Sequence, residues 1–203
     1  MTLFRYFAYL SPLLAGFSLP AALALTAGRP FRTRLLAVAA VHGALIALLG
    51  LAAFTEGFGA FARTTVLLTS FSVLVAGLHL ACESFHLPGG AAQVVTGIVV
   101  VALMGTIFTF GPLLVAAADN GLPNEVIHSR ISLMLAVNPL MVMGYSIFET
   151  PVLHHPELYH RLDLTSYPFE PPRWDASSAG FASAGAILLG LAAAARRMLR
   201  KPA

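Results

Sequence analysis

Charge is what this chain has least of. Asp, Glu, Lys and Arg make up 10% of its 203 residues, too few to coat a soluble domain of that length. Those few are gathered into short clusters rather than scattered over a surface. Cysteine is nearly absent: Cys82 stands alone, which excludes an intrachain disulfide and a four-cysteine zinc site. There is no glycine-rich phosphate loop, no GxSxG and no HExxH, so ATP hydrolysis, serine-hydrolase and zinc-protease chemistry find no support, and no enzyme is expected. Internal repeats, heptads and polar linkers are missing too, which points to one transmembrane domain over 1–203.

What fills the sequence is hydrocarbon. Hydrophobic residues reach 58% and the mean hydropathy is +0.81. The apolar residues fall in blocks of about twenty, the length that crosses a bilayer's hydrocarbon core as helix. Five blocks are predicted as spans, at about 6–27, 35–54, 65–84, 92–117 and 177–195, making an all-α polytopic membrane protein. The first run is longer than a signal-peptide core and has a weak basic flank, so it reads as a retained span. Pro12 and Pro20 lie within it, and Gly111-Pro112 suggests a break in the fourth block.

A sixth stretch, Ile131–Phe148, has Asn138-Pro139 at its centre, where proline removes a backbone donor and disfavours helix at the residue before it. Charge asymmetry decides how to count it. Segment 119–176 holds seven acids against three arginines, whereas the remainder holds nine basic residues against Glu56 and Glu83. The basic loop Arg29–Arg34 and the tail Arg196–Lys201 both face the cytoplasm only if an even number of spans separates them. Ile131–Phe148 is therefore predicted as a re-entrant or interfacial helical hairpin bent at Asn138 and Pro139, within an outer hairpin and loop at 119–176. The N-terminus is then outside and the C-terminus cytoplasmic, in what reads as a bacterial inner membrane. Tyr159, Tyr167 and Trp174 suit an interfacial belt before the last span. The pI near 9.4 does not indicate nucleic acid, because the basic residues flank apolar spans.

This order of elements resembles the membrane (permease) subunit of ABC-2-type transporters. The resemblance rests on the basic loop Arg29–Arg34, the hairpin Ile131–Phe148 with Asn138-Pro139, and the Ala/Gly-rich block 177–195. It implies that Arg29, Phe31, Arg32 and Arg34 form a docking loop for a separate cytoplasmic ATPase. It also implies that the chain works as a homodimer or with other membrane subunits. The family usually has six spans and a cytoplasmic N-terminus, whereas five spans and an outside N-terminus are read here.

Other constellations are weaker. Ala182, Ala186, Gly190 and Ala194 repeat every fourth residue, a small-residue stripe that lets a second helix approach closely. His79, Cys82, Glu83 and His86 would share one face of a helix, and imidazole with thiolate would suit zinc or copper. Their place at a span end reads more simply as a polar helix terminus, and no metal is expected. His42 and His79 come out at matched depth when counted from Arg34 and His86, the arrangement of axial ligands to a haem b. The simpler reading is that each histidine hydrogen-bonds a neighbouring helix, with no cofactor. Glu149, His154, His155, Glu157 and His160 read as a solvated loop. Three functions follow: a permease subunit of an export complex, a haem- or metal-binding redox subunit, or a structural subunit of a larger assembly.

Overall fold

The computed structural model describes residues 2–53, 56–150 and 169–199, and the described residues contain helix and no strand. The helices are α1 (Leu3–Leu25), α2 (Phe31–Ala52), α3 (Phe58–Ser84), α4 (Gly89–Met104), α5 (Thr106–Asp119), α6 (Asn124–Val137), α7 (Pro139–Val142, running on into a wider turn over Met143–Ile147) and α8 (Trp174–Leu199). Four of them, α1, α2, α3 and α8, are long and apolar enough to cross a membrane. The count rises to six if each of two bent pairs, α4 with α5 and α6 with α7, is taken as one span. The chain divides into two compact units, Met1–Val100 with Ser178–Ala203, and Val101–Ser177.

In the first unit α1 packs against α2 and α3. Thr2 caps α1 by accepting from the Arg5 amide at 3.3 Å. Pro12 cannot supply the amide that would bond the Ala8 carbonyl. The Ser11 hydroxyl donates to that carbonyl instead, at 2.8 Å, so the helix carries a buried proline without an orphaned acceptor. Neighbouring contacts fix the helix directions. His42 on α2 meets Thr69 and Ser72, and Arg34 meets Glu83, so α2 and α3 are antiparallel. Along α8, Phe181 stacks edge-on against Phe71 at 5.5 Å and Arg196 reaches Glu83, so α8 runs parallel to α3. Gly89 lies beside Ala24 and Ala27, and Gly97 beside Phe17, so α4 runs antiparallel to α1.

The second helix-to-helix device is a missing side chain. A Cβ on Gly185 would sit 2.6 Å from the Val73 backbone, and one on Gly77 would sit 2.7 Å from the Gly185 carbonyl oxygen. These two glycines let the α3 and α8 backbones touch, which no larger residue permits. The packed face of α8 thus carries Phe181, Gly185 and Ala192. The expected stripe falls on another face: Ala182 is half-buried, while Ala186, Gly190 and Ala194 are exposed.

The second unit has its own core of Ile107, Ile127, Ile131, Met134, Leu135 and Met141, with Tyr145 and Phe169 packed on it. Its chain turns sharply twice. The turn between α6 and α7 is 90° and falls at Asn138-Pro139, although α6 begins at Asn124, earlier than the apolar run suggests. The turn between α4 and α5 is 53° and falls at Gly105. The expected break at Gly111-Pro112 does not form, and Pro112 is carried inside α5. One side chain explains both positions. Asn138 is fully buried; its Oδ1 accepts from the Leu140 and Met141 amides at 3.0 and 3.3 Å, capping α7. Its Nδ2 donates to the Met104 carbonyl at 2.7 Å, at the point where α4 ends.

Candidate functional site

Ionisable groups buried in a membrane helix bundle are costly and mark functional or architectural centres. The first unit has one such centre, around Glu83. Arg34, at the start of α2, offers its guanidinium fork to both carboxylate oxygens at 2.8 Å. The same guanidinium donates to the Leu23 carbonyl near the end of α1, at 3.2 Å. Arg196, near the end of α8, adds a third bond to Glu83 at 3.2 Å. The side chains of Arg34 and Glu83 are only 7% and 11% exposed, against 35% for Arg196. Two-pronged pairing of this kind is the strong form of an ion pair, and here it ties four helix ends to one carboxylate.

His79 sits one turn before Glu83 on α3 and is wholly buried. Its Nε2 is 3.3 Å from Glu83 Oε1, and among the described residues neither ring nitrogen makes a hydrogen bond. At the opposite end of the unit a smaller cluster repeats the theme. Glu56, in the α2–α3 turn, accepts from Arg5 at 2.7 Å and from the Thr2 hydroxyl at 2.6 Å. The Arg5 guanidinium and the Thr2 hydroxyl hold its carboxyl below the usual glutamate range.

The basic loop separates into two groups of residues. Arg29, Phe31 and Arg32 are exposed, Phe31 by 57%. Arg34 is turned inward onto Glu83, which corrects its expected place on a docking surface. Once Glu83 enters the bundle at the end of α3, it requires a buried counter-charge, and Arg34 supplies it.

His79, Cys82, Glu83 and His86 do not share one helical face in the structure. α3 ends at Ser84 and His86 adopts a left-handed backbone with φ 63°, so it leaves the helical face of His79, Cys82 and Glu83. Among the described residues no three His, Cys, Asp or Glu side chains converge as they would around an ion. The matched depth of His42 and His79 also fails. Pairing of Arg34 with Glu83, rather than with the region of His86, sets the register and leaves His42 opposite Ser72. Ser72 lies seven residues from His79 on α3, roughly 10 Å along the axis. His42 is also engaged at both ring nitrogens, by Thr69 Oγ1 at 3.0 Å and Ser72 Oγ at 3.1 Å. His154, His155, Glu157, Tyr159, His160 and Tyr167 lie outside the described residues.

Arg196 and the Gly77–Gly185 contact were not anticipated from the sequence. A signal for the first existed, since Glu83 and Glu56 are the two acids among nine basic residues outside 119–176. Each now has an arginine partner. No protein-family model, curated protein sequence or solved structure matches this chain.

Proposed function

We propose that the chain is a non-catalytic integral membrane subunit, the permease-type component of an export complex driven by a separate cytoplasmic ATPase. The observation that carries this reading is the exposed edge Arg29–Phe31–Arg32, backed by the buried Arg34–Glu83–Arg196 cluster. An exposed aromatic between two arginines is the kind of anchor that protein interfaces use, and helix ends clamped beneath it give a partner something firm to push.

The same reading takes the protein as five spans with a re-entrant α6–α7 hairpin on the outer side. Support comes from the alternating directions of α1, α2, α3, α4 and α8, and from the shared carboxylate that brings the starts and ends of basic segments to one end. By the positive-inside rule that end is cytoplasmic. A bacterial inner membrane is the matching location. A second reading, that the chain packs a larger assembly or a second copy of itself, draws on the outward face of Ala186, Gly190 and Ala194. The two are separated by Phe31→Ala. Purification from native membranes should retain a nucleotide-binding subunit with the wild-type chain and lose it with the variant, while insertion is unchanged. Retention of that subunit by Phe31→Ala would remove the docking reading.

A further inference from the structure

We infer that the groove between α5 and α6 is a binding site for a single-chain amphiphile with an acidic head group, a long-chain carboxylate. The groove is open along one side and holds about 380 Å³, within the range of small-molecule sites. Phe110, Leu113, Leu133 and Val137 give it hydrocarbon walls, with Thr106 and Arg130 as its polar members. The Thr106 hydroxyl is already directed to backbone, towards the Leu103 and Met134 carbonyls at 3.1 and 3.4 Å. Arg130 differs: it is exposed and, among the described residues, has no carboxylate partner. From Arg130 to Val137 the groove follows α6 for seven residues, about 10 Å.

The chemistry of the occupant follows from the solvent. In a bilayer, lipid tails are as apolar as the groove walls, so hydrocarbon alone gains little by entering. Preference must come from Arg130. Its planar fork can take both oxygens of a carboxylate while the chain lies along α6 towards Val137. One cation beside one groove between two helices suits one acid and one chain. This site stands on the geometry of its own unit and does not depend on the permease reading.

The test uses the full chain in phosphatidylcholine nanodiscs with palmitate carrying a photoreactive group in its tail. Illumination should attach the probe to the groove walls, and Leu133→Trp, which puts a larger side chain on the groove wall, should abolish the adduct. Unlabelled palmitate should compete at least about tenfold better than its methyl ester, as expected for a charge-assisted hydrogen-bonded pair. Arg130→Gln should erase that preference and Arg130→Lys should retain part of it. Equal competition by acid and ester, or an undiminished preference in Arg130→Gln, would overturn the site. Stronger displacement by two-chain phosphatidic acid than by palmitate would overturn the single-chain assignment.

Discussion

A carboxylate held by two arginines inside a helix bundle is easily broken from one side. Glu83→Gln removes the charge that Arg34 was buried against, and a buried ion stripped of its partner costs about 3–5 kcal/mol. Arg196 is more exposed, so Arg196→Gln should cost less than about 1 kcal/mol. Unfolding titrations of the two variants in mixed micelles check the contrast, and equal losses would refute the assignment of Arg34 as the buried partner. Glu56 makes a different prediction, read by pH. Its partners lower its pKa in the folded chain, so its contribution is complete above the ordinary glutamate range, near 4.3. That contribution is lost as pH falls through the lower folded value. The Glu56 side chain is 13% exposed but its partner Arg5 is 34% exposed, so solvent screens the pair and the effect is modest. Stability measured from pH 6 down to about pH 3 should fall more steeply in the wild type than in Glu56→Gln.

At the scale of the helix, packing is decided by which small residues face a neighbour. Gly185→Ala places a methyl against the Val73 backbone, and such overpacking costs about 1–3 kcal/mol. Nothing lies within 4 Å of a Cβ on Gly190, so Gly190→Ala should stay within about 0.5 kcal/mol of wild type in the isolated chain. Unfolding midpoints of the two variants give the comparison. This pair also marks where the sequence is readable and where it is not. The apolar blocks are legible because hydrocarbon demands them, and the bend at Asn138 is legible because proline acts locally. The choice between two Ala/Gly-rich faces of α8 is not, since it is made by Gly77, a notch on another helix. The break after Met104 is equally hidden, being set by an asparagine 34 positions beyond that residue. Arg34 looked like part of an exposed loop because its partner, Glu83, lies 49 residues further on.

For the whole molecule the five-span reading makes a labelling pattern. In a Cys82→Ser background, cysteines at Arg32 and Met198 should react with an impermeant maleimide only after the cells are opened. A cysteine at Phe58 should react in intact cells. Arg32 and Met198 falling into opposite classes would end the reading. The Glu83 cluster also has a consequence in time. Arg34 and Glu83 are both synthesised long before Arg196, which lies 113 residues beyond Glu83. A growing chain can therefore neutralise its buried acid while α8 is still unmade, and the early helices need not wait in the membrane with a naked charge. What they lack until then is the backbone that fills the notch at Gly77, so the later-made α8 is the helix that locks the bundle.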